Sequence, residues 1–169
     1  MRKTWRVAAL GVMLALMMVL SMLERMIPPL PFMPPSARLG LANVVVMYAA
    51  LFLGWKEAFG LNAMKAVFVF LTRGYIAGLL SLSGGMLSVS VIMFVLWVSK
   101  DKASCILLSI CSSIAHNLGQ ILAVSAIMGM WQLAYYLPFL LIFGVGLGII
   151  TGVILKVIMP AVSRGRWLG

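Results

Sequence analysis

Long apolar runs dominate this chain, and short stretches rich in charged, Pro or Gly residues interrupt them. A run of about 17–25 mostly apolar residues is long enough to cross the hydrocarbon core of a bilayer as a helix. The interruptions therefore predict an all-α polytopic membrane protein: one integral membrane domain over residues 1–169, with six transmembrane helices. The predicted helices cover residues 6–25, 39–55, 57–80, 85–100, 103–129 and 133–160.

Composition and charge distribution agree with this picture. The chain is 64% hydrophobic and only 9% charged, which is typical of a protein whose mass lies mostly in the bilayer. The net charge of +10 comes from basic residues in short connections and near both ends, so it indicates membrane orientation and not nucleic-acid binding. With both termini cytoplasmic, the inner side collects Arg2, Lys3, Arg6, Lys56, Lys100, Lys102, Lys156, Arg164 and Arg166, and the outer side only Arg25 and Arg38. This bias predicts a multi-pass protein of the plasma membrane.

The fifth predicted helix carries a polar stripe inside an otherwise apolar run. At 100° per residue, Ser109, Ser113, His116 and Gln120 fall within an arc of roughly 60°, with Asn117 at its edge. Each of these groups costs free energy when it is buried without a partner. We therefore expect the stripe to face the interior of the bundle.

The third predicted helix shows a matching pattern. Asn62, Lys65, Thr72 and Arg73 lie within an arc of roughly 100°. A cation at membrane depth costs about 2.5–3.5 kcal/mol even on a lenient insertion scale, so both cations should face the interior or water.

The polar groups of the outer half predict one outward-facing, cationic pocket. Arginine forks suit a carboxylate or a phosphate, so a small anionic ligand is expected, with any ring stacked on Tyr75 or Phe32. The predicted substrate-binding residues are Glu24, Arg25, Arg38, Asn43, Lys65, Arg73, His116, Asn117 and Gln120.

Each of these residues also has a structural interpretation. His116 and Gln120 are compatible with hydrogen bonds that join neighbouring helices. Arg73 is compatible with a side chain that snorkels outward, and Glu24 with an interfacial pair to Arg25. Asn43 is compatible with a role in capping or bracing the second helix.

Small residues recur at four-residue spacing in two predicted helices. Gly144, Gly148 and Gly152 repeat in the sixth helix, and Gly11 and Ala15 in the first. Such spacing allows close backbone approach in lipid, either within the bundle or against a second membrane protein.

Catalytic, nucleotide-binding and metal-binding patterns are missing from the sequence. There is no Gly-rich phosphate-binding motif, no Ser-His-Asp set and no spacing of zinc ligands. The carboxylates number three, and none is predicted mid-membrane where a proton- or sodium-driven carrier usually places them. We expect no catalytic residue, no metal and no cofactor, and an energy supply that comes from a partner.

Five segments carry a family resemblance that covers nearly the whole chain. They are LERMIPP, RLGLANVVVMYAALFLGWKEAF, LTRGYIAGLL, SLSGGMLS and AHNLGQILAV, in that order. Together they resemble the Gx transporter family, which is also labelled heptaprenyl diphosphate synthase component I. That family is similar to the substrate-binding (S) components of energy-coupling factor (ECF) transporters.

The resemblance implies a six-helix membrane protein that captures a vitamin-like nutrient on the outer side. It also implies docking onto a transmembrane coupling protein with two ATPases, after which the S component topples to release its cargo. Small residues on the first helix would make the docking face, and here these are Gly11 and Ala15. A flavin, a quinone precursor and an isoprenoid precursor all suit a cationic, partly apolar pocket.

Other function classes stay open at this point. A non-catalytic subunit of a prenyl diphosphate, quinone or redox enzyme complex agrees with the family label. A self-sufficient channel or carrier is a further possibility. Direct prenyl transfer is disfavoured, because it needs carboxylate clusters that hold metal and the chain has one aspartate.

Overall fold

The structure is a computed structural model that describes residues 2–26, 40–100 and 103–164. Within these ranges the protein is all-helical, with six α-helices and no strand, as predicted. The helices are α1 (Arg2–Met26), α2 (Leu41–Phe52), α3 (Trp55–Arg73), α4 (Tyr75–Ser99), α5 (Cys105–Met128) and α6 (Leu137–Arg164), with a short 3-10 helix at Trp131–Tyr136 before α6.

The prediction of six membrane spans is confirmed only in part. In the described ranges, four helices contain a stretch that is long and apolar enough to cross a membrane; they are α1, α4, α5 and α6. The 12 residues of α2 extend over roughly 18 Å, which is shorter than a hydrocarbon core. The 19 residues of α3 include Lys56, Glu57, Lys65 and Arg73, so α3 is too polar to qualify.

The shortness of α2 is compensated by its position inside the bundle. Most of its residues are buried, including Ala42, Val44–Met47, Ala49 and Ala50. A helix that is apolar on all sides is expected to be enclosed by other helices. α2 is thus an internal element that packs against α1, α3, α4 and α6.

The break between α3 and α4 lies at Gly74, so the prediction of a connection between residues 80 and 85 was wrong. Gly74 adopts φ +90°, which favours glycine, and its N–H donates to the Phe70 carbonyl oxygen to end α3. Gly84 and Gly85, by contrast, lie inside α4.

Glycines hold α4, α5 and α6 at close distance. A Cβ on Gly119 of α5 would lie 2.9 Å from the Cα of Gly84 in α4. On α6, a Cβ on Gly148 would lie 2.6 Å from the Cα of Ile110, and one on Gly152 2.8 Å from the Cα of Ile106. The small residues of α6 therefore serve packing within the bundle, the first of the two interpretations.

The two ends of the bundle differ in charge. We call the end where α1 and α3 begin the basic end; there Arg6 approaches Glu57 at 3.8 Å, and Lys56, Lys100 and Lys156 are exposed. We call the opposite end, where α1 ends and α2 begins, the cavity end. Exposed aromatic residues lie near both ends, Trp55 and Trp97 at one and Trp131 and Tyr135 at the other, as in the aromatic belts of membrane proteins.

A tightly packed apolar layer fills the bundle toward the basic end. It contains Ala58, Val89, Ile92, Leu108 and Leu155, all of them essentially inaccessible, and we call this layer the apolar plug. Met17 of α1 and Ala49 of α2 belong to the same core cluster.

Candidate functional site

A cavity of about 160 Å³ opens among all six α-helices at the cavity end. Seven of the nine predicted binding residues line it, so the structure brings them together as the helical periodicity suggested. These seven are Glu24, Asn43, Lys65, Arg73, His116, Asn117 and Gln120. Their role as substrate ligands stays a prediction.

The two other predicted binding residues cannot be placed at the cavity. Arg38 lies outside the described residues, as does Phe32. Arg25 belongs to α1, but its side chain is not among those the structure describes. The expectation that Tyr75 would stack on a ligand was wrong, because its ring is 62% exposed and packs edge-on against Phe70 outside the cavity lining.

Lys65 is the most deeply placed charge of the cavity. It is only 8% exposed, and its Nζ donates to Oδ1 of Asn43 on α2 at 2.5 Å. Glu24 and Arg73 both lie within electrostatic range of Lys65. Asn43 therefore orients a buried ammonium group instead of capping its own helix, whose N-cap is Gly40 without a side-chain hydrogen bond.

Arg73 joins α3 to α1. Its Nη2 donates to the backbone oxygen of Ser21 at 2.8 Å and to the Ser21 hydroxyl at 3.3 Å. Both contacts come from one nitrogen of a guanidinium group that has five N–H donors in a fixed fork. Arg73 is thus held at the cavity wall and does not simply extend outward to the interface.

Glu24 occupies the edge of the cavity beside the start of α2. Its Oε1 accepts a long hydrogen bond from the Ala42 backbone N–H at 3.4 Å. The first N–H groups of a helix carry partial positive charge, and Gly40 and Asn43 bring this helix start to the cavity wall. The described wall therefore has two cations, one carboxylate and one helix N-terminus.

The polar stripe of α5 forms the opposite wall. Asn117 is 8% exposed and donates to the Leu140 carbonyl oxygen of α6 at 3.0 Å, so it also joins two helices. The Nδ1 of His116 is buried beside the backbone of Gly84 and makes no hydrogen bond of good geometry within the described ranges. The side chain of Gln120 lies against the same glycine, which leaves room for both.

Several cavity residues escaped the sequence-based prediction. Ser21 on α1, Ser81 on α4, Ser112 on α5 and Thr151 on α6 all contribute hydroxyl groups to the wall. Serine and threonine carry no charge and are common in membrane helices, so they stand out only when a neighbouring polar stripe is already known.

Two predicted polar residues of α3, Asn62 and Thr72, do not line the cavity, and the Thr72 hydroxyl donates to the Phe68 carbonyl oxygen at 2.8 Å. Asn62 is fully buried one turn before Lys65, and neither of its amide atoms has a hydrogen-bond partner among the described residues. A side chain at Gly85 would overlap the Asn62 amide, so this glycine of α4 makes the space that Asn62 occupies.

The described residues contain no group of three His, Cys, Asp or Glu side chains that could hold a metal ion. Cys105 and Cys111 are not joined in a disulfide. The donors at the cavity are ammonium, guanidinium, amide and hydroxyl groups, and Glu24 is the one carboxylate among the described lining residues.

Comparison with known families gives one match. The profile of heptaprenyl diphosphate synthase component I matches residues 13–158, which include α2 to α5 and most of α1 and α6. The chain belongs to the heptaprenyl diphosphate synthase component I family. The resemblance inferred from the quoted segments is thereby confirmed. Neither the curated proteins nor the solved structures contain a match to this chain.

Family membership also bears on catalysis and assembly. Component I is a non-catalytic subunit, which confirms the prediction that this chain is not itself an enzyme. The family description further marks the chain as a component of a multi-subunit complex. With its four long apolar helices, this member of the component I family is a membrane protein.

Proposed function

We propose that this component I protein is an S-component-like membrane subunit that captures a small anionic nutrient at its cavity end. The observation that carries this proposal is the cavity on which Lys65, Arg73 and the polar stripe of α5 converge. Buried charged side chains in a concave pocket are a general mark of a binding site.

The distribution of charge supports an orientation for this subunit. Arg6, Lys56, Lys100 and Lys156 lie at the basic end, so the positive-inside rule assigns that end to the cytoplasm. Both termini are then cytoplasmic and the cavity faces outward. The apolar plug between cavity and cytoplasm is typical of a subunit that binds its ligand from one side, and it disfavours an open channel.

The variant Arg73→Ala tests whether the cavity captures an anion. Arg73→Ala removes a charged donor from the wall, and hydrogen bonds to charged groups contribute about 1.5–3 kcal/mol, so anion affinity should fall at least about tenfold. The molecule retained after mild detergent extraction, identified by mass spectrometry, provides the ligand, and calorimetry on the variant measures the affinity. Lys56→Ala, an exposed cation at the basic end, is the matched control. Unchanged binding by Arg73→Ala would remove the cavity assignment.

A docking face on α1 is the second part of the proposal. Gly11 and Ala15 are exposed on α1, and a Cβ on Gly11 would meet no atom within 4 Å. In the proposed function they contact an ECF coupling protein that works with two ATPases. Gly11→Leu with Ala15→Leu should reduce co-purification with that coupling protein severalfold and leave ligand binding intact.

The exposed Gly146 of α6, which also has no atom near a built Cβ, supplies the control variant Gly146→Leu. Equal co-purification of both variants would contradict docking through α1.

The family description favours a second candidate function. A non-catalytic membrane subunit of a prenyl diphosphate or quinone enzyme complex would co-purify with a catalytic subunit and retain no ligand of its own. Extraction and mass spectrometry of the intact complex separate the two candidates.

A further inference from the structure

Asn117 lies where α5 meets α6, and its amide group has two unlike ends. The residue is 8% exposed, and its Nδ2 donates to the Leu140 carbonyl oxygen at 3.0 Å. A backbone carbonyl oxygen can only accept a hydrogen bond, so the end of the amide that faces α6 must be the NH₂ group. The other end of the planar amide, Oδ1, therefore points away from Leu140.

The Oδ1 end of this amide is turned toward the cavity. Asn117 lines the cavity, whereas Leu140 is not among the described lining residues. No described residue donates to Oδ1. Oδ1 also differs from the amide of Asn62, whose two polar atoms are fully enclosed without a partner. The wall formed by α5 thus presents a hydrogen-bond acceptor whose direction is fixed by α6.

Gly144 of α6, one turn beyond Leu140, makes room for this orientation. A Cβ on Gly144 would lie 2.9 Å from Nδ2 of Asn117, and the next nearest atoms would lie 3.7 Å away, at ordinary contact distance. The close contact is with the end of a side chain, whereas the close contact at Gly148 is with backbone. A methyl group at Gly144 should therefore turn the Asn117 amide and leave the two helices in place.

The wall formed by α3 has the opposite hydrogen-bonding character at its deepest charge. Lys65 is 8% exposed, and its ammonium group has three N–H donors and no lone pair. An anion held by Lys65 therefore meets a donor on the α3 side and the Asn117 acceptor on the α5 side. A site with a fixed acceptor favours a ligand that donates to it, because a ligand without a donor leaves Oδ1 dehydrated and unpaired.

Resting on the proposed capture of an anion, we propose that Asn117 is a specificity-determining residue that accepts a hydrogen bond from an N–H or O–H group of the bound anion. Gly144 is its positioning residue, although it is not among the described residues that line the cavity. The ligand is then bipolar: its acidic group faces Lys65 and its donor group faces Asn117. This role goes beyond the interhelical hydrogen bond, which alone would require no particular group on the ligand.

The test compares two pairs of anions on the full chain in lipid nanodiscs by isothermal titration calorimetry. The pairs are 4-hydroxybenzoate with 4-fluorobenzoate, and 5-hydroxypentanoate with 5-fluoropentanoate. The members of a pair have the same charge and nearly the same size, but only the hydroxyl compound can donate a hydrogen bond from its far end. One pair has a ring and the other a chain, so the comparison does not presuppose the shape of the ligand. In at least one pair, we expect the hydroxyl compound to bind at least about fivefold more tightly than the fluoro compound.

Gly144→Ala links this discrimination to the orientation of Asn117. The variant should lower the ratio of the two affinities to less than about twofold and leave the affinity for the fluoro compound unchanged. Gly146→Ala is the matched control, because a Cβ there meets no atom within 4 Å, and it should keep the full ratio. If Gly144→Ala does not fold by size-exclusion chromatography, Asn117→Leu, which removes the acceptor at similar size, takes its place with the same expected loss of the ratio.

The outcomes separate this inference from the proposed function. If no hydroxyl compound is preferred in the pairs that bind, or if the preference survives Gly144→Ala, the role of Asn117 is overturned and anion capture stands. Equal weakening of both compounds by Gly144→Ala also overturns it, in favour of a purely structural contact.

If neither pair binds, the molecule retained after mild extraction decides. The role of Asn117 then requires that this molecule has an N–H or O–H donor besides its acidic group, and that Gly144→Ala, but not Gly146→Ala, abolishes its retention; any other result overturns the role. Binding of no anion, with nothing retained, overturns both this inference and the proposed function.

Discussion

At the cavity end, α1, α3 and α5 place Glu24, Lys65 and His116 around an open volume. At the basic end, α3 and α5 contribute Ala58 and Leu108 to the apolar plug, where no comparable volume remains. α3 and α5 are therefore polar around an open cavity in one half of the bundle, and apolar and closely packed in the other half.

The contrast indicates that the half of the bundle at the basic end stabilises the fold and that the half at the cavity end forms the candidate binding site. Without a hydrophobic driving force between helices in lipid, association depends on close packing, which the plug and the glycine contacts supply. The cavity half gives up packing and buries charge, which costs free energy unless a ligand compensates. Substitutions in the two halves should therefore affect different measurements.

The largest expected effect is the loss of packing in the plug. Ile92 is 1% exposed, and truncating a buried Ile to Ala typically costs about 2–5 kcal/mol because a cavity remains. Ile92→Ala should lower the free energy of unfolding by that amount, measured by thermal or denaturant unfolding in mild detergent. Ile142→Ala, at a site 72% exposed on α6, is the matched control and should change stability little. Equal effects at both sites would mean that the plug is not the packed region.

A smaller effect is expected where α5 meets α6. Gly148→Ala places a methyl group 2.6 Å from the Cα of Ile110, and such overpacking typically costs about 1–3 kcal/mol. The same change at Gly146, two residues away, meets no atom within 4 Å and should cost no more than an exposed helix substitution. Unfolding of the two variants side by side is the measurement. A Gly146→Ala variant as unstable as Gly148→Ala would contradict the interhelical role of Gly148.

The smallest effect, with the opposite sign, is expected in the cavity. Lys65→Met keeps the length of the side chain and removes a buried ammonium group together with its hydrogen bond to Asn43. Burying an ion costs several kcal/mol, whereas a hydrogen bond to a charged group contributes about 1.5–3 kcal/mol, so the net change should be a gain in stability of about 1 kcal/mol. The variant should unfold slightly later than the unaltered protein and lose anion binding by calorimetry. Lys56→Met, at an exposed site, should change neither property. A clear loss of stability in Lys65→Met would show that the ammonium group braces the apo fold.

Helical periodicity was enough to find most of the charged and amide side chains that line the cavity. His116 and Gln120 follow the turn of α5 onto one face, and Lys65 and Arg73 are costly enough in a membrane that an inward position could be inferred. These inferences need only the rotation per residue and the cost of charge. They do not depend on how the helices pack.

Features that depend on packing could not be predicted. The glycines of SLSGG resemble a connection in sequence, and only the contact with α5 at Gly119 explains why Gly84 lies within a helix. Ser81 was lost from the site for the same reason, because it fell in the predicted connection. The short length of α2 also has no local signal, since its apolar character continues past its last residue.

The glycine contacts also restrict how the molecule can change shape. With backbone against backbone at Gly84 and Gly119, and at Gly148 and Ile110, α4, α5 and α6 have little freedom to slide past one another and form a rigid frame. A Cβ on Gly78 of α4 would likewise lie 2.9 Å from the Cα of Phe70, so α3 is held to the same frame, and widening of the cavity to admit or discharge a guest must then come mainly from α1 and α2.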